Sequence, residues 1–448
     1  MAVRPVFEVG KYKKERVNVI NCEFKSIMQK NKNILFTTGG VNMYKEELKK
    51  IMDATAEKIK TSSGKEKQKY LSDLFAYRSV MKYVEKNEED MTGYVDIHNH
   101  FIEIFNRKTG FYFRTGVIEN NLDTGRDPFQ RDFPQLIDVG IMGHCKHGLS
   151  GLCMKSGVQC YQDGLHCCNP NMTLEDFRRI VEECKGKTFQ LSLGGRGDVD
   201  QHEHFEEIMK MCVENGITPN FTSSGLGFTE EIVEICKKYC GAVAISEYRQ
   251  PHTTRALKML IDAGVKTNLH YVLGNNSIDE AIERLKNHDF IDGLNAVIFL
   301  LHKPIGLGKE SNVLKTDDPR VAEFYHLIDT EKFPFAIGFD TCNNPGIINF
   351  TSNILEESMD TCEAARHSCY IDSDMKMIPC SFDNQDLKWA VDLRTHTIQD
   401  AWDSKQFENF RDHFRCSCPN CKDRTRCMSG CPICRSIVLC DRKEKDLR

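Results

Sequence analysis

A chain of 448 residues, 40% hydrophobic and 28% charged, can bury one large core or two to three domains; this ordinary globular composition argues against a disordered or fibrous protein. The net charge of −5 says little about partners, although the first 90 residues hold 19 Lys and Arg against 13 Asp and Glu, so that a segment near +6 precedes a remainder near −11. The N-terminus has no apolar signal core and the longest apolar run, Ala296 to Leu301, is far too short for a bilayer, which argues against a secreted disulfide framework and predicts a reducing, cytoplasmic setting with no membrane partner.

Residues 1 to 135 read as an N-terminal α+β region. Tyr44 to Asp90 has helical character interrupted by Thr61-Ser62-Ser63-Gly64, which has turn chemistry. Tyr94 to Thr115 alternates around Asn106-Arg107-Lys108-Thr109-Gly110, the pattern of a β-hairpin. His98 and His100 fit a half-exposed strand better than a metal site. The basic character of the segment suits a solvated helical face or a docking surface for an acidic partner.

From 136 to 332 strands and helices alternate. The predicted strands are Leu136–Met142, Thr188–Leu193, Ile217–Thr222, Gly241–Ser246, Lys266–Leu273 and Leu294–Leu301, and the helix Leu174–Cys184 opens on Thr173 with Asp176 three residues on, as in a capping box. Crossovers of helical length require parallel strands, and six such units predict an α/β fold, a partial (β/α)6 TIM-like barrel with its chemistry at the C-terminal strand ends. Residues 333 to 448 are loop-rich, with few long apolar periods. Metal clusters would supply the staples that such a segment lacks.

The cysteines mark where clusters would sit. Ten of the 21 lie between Cys362 and Cys440, while Cys145, Cys153 and Cys160 follow the first barrel strand, with Cys167 and Cys168 close behind. Three thiolates in one loop can hold a [4Fe-4S] cube and leave one iron open to substrate or cofactor. Here the chain resembles the radical S-adenosylmethionine (radical SAM) enzymes, whose partial barrel carries three cysteines in the loop after its first strand, commonly with an aromatic beside the last, as in Cys160-Tyr161. Family spacing is three and then two residues. Seven and six separate Cys145, Cys153 and Cys160, so Cys167 and Cys168 stay open as alternative ligands.

Leu191-Ser-Leu-Gly-Gly-Arg-Gly-Asp198 ends the second strand much as the family's glycine pair and glutamate do. The resemblance implies that Gly194 and Gly195 let S-adenosylmethionine (SAM) approach the backbone closely. Arg196 occupies the glutamate's place, and Asp198 is the nearest carboxylate for the methionyl ammonium. Ser246 and Glu247 after the fourth strand, and Asn268 and His270 on the fifth, are implied as further cofactor contacts. Pro304-Ile305-Gly306 follows the sixth strand, where relatives place the adenine.

Cys418-Pro-Asn-Cys421, Cys427 and Cys431, separated by two, five and three residues, resemble the SPASM extension, an auxiliary iron–sulfur domain of radical SAM enzymes that modify peptides or proteins. That resemblance implies one auxiliary [4Fe-4S] cluster on Cys362, Cys380 and Cys431, with Cys369 or Cys342 as fourth ligand. A second would rest on Cys418, Cys421 and Cys427, closed by Cys440 or Cys434. A glycine is usual where Met375 stands, so that turn is expected to be built differently.

The family resemblance implies an enzyme that splits SAM reductively to a 5′-deoxyadenosyl radical and abstracts hydrogen from a peptide or protein side chain. An electron donor such as a flavodoxin or ferredoxin is implied as partner, and Asp383, near Cys380, is the candidate catalytic acid. Two other readings remain: a radical SAM enzyme acting on a small molecule or RNA, and a zinc-ribbon interaction protein built on the CPxC pairs Cys418/Cys421 and Cys431/Cys434. The second predicts a basic face near Arg424, Arg426, Arg435, Arg442 and Lys443. It lacks aromatic platforms there, which disfavours nucleic acid.

Overall fold

The computed structural model describes residues 40–148, 150–166, 168–354 and 359–440, so Cys167, Arg442 and Lys443 lie outside it. The described residues fall into two compact units, one of residues 40–135 with 186–189, the other of residues 136–185 with 190–440. Among them no helix is long and apolar enough to cross a membrane.

The first unit begins with helices α1 (Gly40–Thr61) and α2 (Gly64–Lys86), broken at the expected serines. Strands β1 (Met91–Asp96), β2 (Phe101–Asn106) and β3 (Tyr112–Arg114) form an antiparallel sheet in that order, and β4 (Ile118–Glu119) pairs with β5 (Leu122–Asp123). The predicted hairpin is β2–β3. Its turn is set by the Asn106 side-chain oxygen, which accepts from the Lys108 and Thr109 amides at 2.9 and 2.8 Å. His98 and His100 sit in a second tight turn, where the Asp96 carboxylate accepts from the amides of His98 and Asn99. Tyr44, Leu48 and Ile51 of α1, Val80 and Val84 of α2 and Ile102 and Ile104 of β2 share one core. Beside it Arg131 and Glu103 form an ion pair at 2.8 Å with both side chains 0% exposed. The Arg131 guanidinium also lies over the Tyr94 ring and donates to the Lys187 carbonyl, which ties residues 186–189 to this unit.

In the second unit all six predicted strands form and run parallel: β6 (Leu136–Met142), β7 (Gln190–Gly195), β8 (Thr218–Ser223), β9 (Ala242–Ser246), β10 (Thr267–Leu273) and β11 (Ala296–Leu301). Helices α3 (Leu174–Cys184), α4 (Phe205–Glu214), α5 (Glu230–Tyr239), α6 (Pro251–Asp262) and α7 (Ile278–Asn287) make the crossovers. Their starts follow local rules: Thr173 accepts from the Asp176 amide, Thr229 accepts from the Ile232 amide, and Pro251 opens α6. Ile137, Val139 and Ile141 have no exposure, while the alternate residues Asp138 and Gly140 share the other face of the sheet with Tyr370. A Cβ on Gly140 would lie 2.2 Å from the Tyr370 hydroxyl, so only glycine fits there.

The sheet does not stop near Phe333. After helix α8 (Pro319–Thr330), β12 (Ala336–Phe339) pairs parallel to β11, and β13 (Ser368–Ile371) pairs parallel to β6 at the other edge. Antiparallel β14 (Lys376–Ile378) and β15 (Val391–Asp392) continue from β13. The cysteine-rich segment is thus built onto the barrel sheet. At Met375, where the SPASM pattern usually has glycine, the backbone keeps the left-handed conformation, φ +61°, and the side chain is buried. Burial of the Met375 side chain offsets a conformational cost of roughly 1–2 kcal/mol.

Candidate cluster and cofactor sites

β6 ends against a long loop that brings three thiols together. Cys153 has Cys160 and Cys145 as electrostatic neighbours, and burial pushes its thiol up to about 11. Burial also raises the Cys145 thiol, against the opposing pull of the His147 and Gly148 amides. The space among them is kept by Gly164, whose Cβ would lie 2.9 Å from Cβ of Cys145 and 3.8 Å from Sγ of Cys160. Cys168 is exposed, and its backbone bridges to His144, outside this group. Tyr248, which the sequence reading passed over, places its hydroxyl 3.5 Å from the Cys153 sulfur. The raised, half-buried thiols of Cys145 and Cys153, with Cys160 beside them, are suited to a cationic partner that replaces their protons.

The end of β7 lies beside this loop. Gly195 and Gly197 have φ of +115° and +147°, and a Cβ on them would lie 2.5 Å from the Met142 carbonyl and 2.7 Å from the His144 carbonyl. Glycine is required at both because the two loops touch through their backbones. At Gly194 a Cβ would meet nothing within 4 Å. That leaves open space over the strand end for a ligand.

The expected cofactor contacts divide. The Asp198 carboxylate is already engaged: it meets His147 Nε2 at 2.7 Å and accepts from the amide and hydroxyl of Ser224 at 2.7 and 2.6 Å. Arg196 turns to the Gln162 carbonyl at 3.1 Å. Glu247 accepts from the Arg249 amide and the Arg284 guanidinium at 2.8 and 2.7 Å. Asn268 lies near the N-terminal end of β10, the end opposite the cysteines, where it accepts from Asn295 at 2.7 Å. Ser246 and His270 pair in register on neighbouring strands, and burial pushes the His270 imidazole down to about 3, so it is neutral at physiological pH. Asp383 accepts from the Lys388 and Trp389 amides and closes a turn, and burial raises its carboxyl.

Asp200, on the turn Val199–Gln201, was not singled out by sequence because an isolated acid in a loop carries no pattern. Both of its carboxylate oxygens are buried without a well-formed hydrogen bond, although the Ser223 hydroxyl is nearby. Burial, reinforced by the charge of Asp198, pushes its carboxyl up to about 7. The folded chain therefore holds a proton that the unfolded chain releases near pH 4, so stability drains away as pH rises from about 4 through 7. Asp200→Asn is expected to raise the urea midpoint relative to wild type at pH 8 and far less at pH 5. Equal changes at the two pH values would refute this account.

The C-terminal cysteines form two groups. Cys342 faces Cys431, and these two with Cys362 and Cys380 line a cavity of about 400 Å³ that Cys427 also borders. Cys362 and Cys380 each feel the neighbouring thiols, and burial pushes Cys362 up to about 11 and Cys380 well above its ordinary value. Cys369, the second residue of β13, borders the same cavity but has Cys184, Asp138 and Arg411 as its electrostatic neighbours, whereas Cys342 faces Cys431 directly. Cys427 has Cys418 and Cys440 as neighbours, whereas the Cys434 amide donates to the Cys431 sulfur at 3.3 Å, as the Asp423 amide does to the Cys421 sulfur. Cys431 thus has Cys342 and Cys434 as its neighbours, and Cys427 has Cys418 and Cys440. Among the described residues no three His, Cys, Asp or Glu side chains converge as single-ion ligands.

The two ends of this arrangement touch. Tyr161, next to Cys160, packs its ring 4.7 Å from that of Phe382, two residues beyond Cys380, and Asn384 donates to Gln162 at 2.9 Å.

The SPASM family, an iron–sulfur cluster-binding domain, matches residues 362–428. Among solved structures, SuiB of Streptococcus suis bound to its precursor peptide SuiA matches with a TM-score of 0.57, covering 77% of this chain and 95% of that one at 14% identity. SuiB bound to S-adenosylmethionine matches at 0.52, covering 83% and 80% at 13% identity. The chain carries a SPASM iron–sulfur cluster-binding domain on a fold shared with SuiB. At these identities the likeness to SuiB is one of fold, and no curated protein matches the sequence. The donor set of the SPASM domain fits clusters: buried thiols in groups, amides aimed at sulfur, and a cavity between them.

Proposed function

We propose that this protein is a radical SAM enzyme that modifies a peptide or protein side chain. The observation that carries the reading is the convergence of Cys145, Cys153 and Cys160 beside the open strand end at Gly194. Bound there, a [4Fe-4S] cluster and SAM would supply a 5′-deoxyadenosyl radical. The chain's own part is to hold the cluster through those three thiolates, to offer backbone at Gly194 to the cofactor, and to shape the pocket with Ser246 and the neutral His270. Asp198, braced by His147 and Ser224, has one lone-pair direction left for an ammonium. Auxiliary clusters would rest on Cys342, Cys362, Cys380 and Cys431 and on Cys418, Cys421, Cys427 and Cys440. A peptide substrate is favoured by the likeness to SuiB, solved with its precursor peptide, and by the basic first 90 residues. A flavodoxin or ferredoxin in the cytoplasm would deliver the electron.

The test is anaerobic reconstitution, followed by iron and sulfide counts and a search for 5′-deoxyadenosine after adding reductant and SAM. About twelve irons per chain with SAM cleavage are expected for three cubane clusters. Zinc without iron or cleavage would overturn the proposal.

A further inference from the structure

Lys303 stands two residues beyond β11, at the C-terminal end of the barrel, and is only 4% exposed. Its ammonium pairs with Asp340, also 4% exposed, just after β12. Asp340 is held in turn by the Asn343 side-chain amide at 2.6 Å, so the pair has little freedom. The ammonium also lies 4.6 Å from the centre of the Phe382 ring. Asp340 is two residues from Cys342, Phe382 is two from Cys380, and Asp340 lines the same cavity as Cys342, Cys362, Cys380 and Cys431. The thiols of Cys342 and Cys431 both lie within the field of this cation.

Such a pair is a poor device for stability, because desolvation of two charges offsets most of their attraction. Its position suits a different role. A cluster on four thiolates is an anion that gains a further negative charge on reduction, and fixed charges beside it act strongly where water is excluded. We propose that Lys303 and Asp340 set the reduction potential of the cluster held by Cys342, Cys362, Cys380 and Cys431, the ammonium raising it and the carboxylate lowering it. The proposal rests on the reading of those four thiols as cluster ligands.

The experiment is a redox titration of the reconstituted full chain, reduced with dithionite and followed by electron paramagnetic resonance. Lys303→Met is expected to lower the reduced-to-oxidised ratio of one cluster about tenfold at fixed potential, a shift of about 59 mV for a one-electron couple. Asp340→Asn is expected to move the same cluster the opposite way, and Lys303→Arg to leave it near wild type. Should Lys303→Met fail to hold iron, the Asp340→Asn shift still reads the sign. Full iron with unmoved potentials, or shifts of the same sign in both variants, would overturn the inference alone. Absence of iron from this site in the wild-type chain would overturn the cluster reading and the inference with it.

Discussion

Alanine in place of Cys145, Cys153 and Cys160 together is expected to abolish SAM cleavage and to remove about four of about twelve irons, leaving both C-terminal groups loaded. The three thiols come from one loop and have one another as neighbours, while the SPASM thiols draw on β12, the segment before β13 and the loops around Cys418 to Cys440. Loss at one group should therefore leave the other groups intact. The same iron assay separates Cys342 from Cys369. Cys342→Ala is expected to cost iron, since Cys342 faces Cys431, whereas Cys369→Ala should keep the full complement because Cys369 packs toward Cys184 and Arg411. If the triple variant still cleaves SAM, the barrel loop is not the cofactor site.

Arg131→Ala is expected to destabilise the unit of residues 40–135 by about 3–5 kcal/mol, the cost of leaving a buried charge without its partner. Arg131 is enclosed, paired with Glu103 and stacked on Tyr94, and it donates to the carbonyls of Phe133 and Lys187. Removing it strands the Glu103 carboxylate in the core. Hydrogen exchange at the β2 amides gives the measurement, since these open with the core of the unit. Adding Glu103→Leu to the variant should recover a large part of the loss, because the stranded charge is then gone. Unchanged protection in the single variant would show that the pair contributes nothing to this unit.

Much of this was written locally in the chain. The six parallel strands were legible because each is a short apolar run between helical periods, and Thr173 with Asp176 announced α3. The hairpin at Asn106 to Gly110 followed from turn chemistry that needs no distant partner. Strands β12 and β13 were not legible: Ala336-Ile-Gly-Phe339 and Ser368-Cys-Tyr-Ile371 are too short to show a period, and only pairing with β11 and β6 makes them strands.

By itself the sequence determined the alternation that builds a parallel sheet, the three thiols placed after its first strand, and the two-five-three spacing of the C-terminal cysteines, because periodicity and spacing act over a few turns of chain. The tertiary structure alone decided which thiols meet. Cys342 reaches Cys431 across 89 residues because β12 adds to one edge of the sheet and its exit loop faces the C-terminal knuckles. Cys369, nearer in sequence to Cys362 and Cys380, is held in β13 beside Cys184 and Arg411, at the border of the same cavity. In the same way strand direction put Asn268 near the N-terminal end of β10, beside Asn295, and ion pairing bound Glu247 to Arg284. Residue type announces what chemistry a side chain can do, but pairing order and strand direction decide which partner it meets.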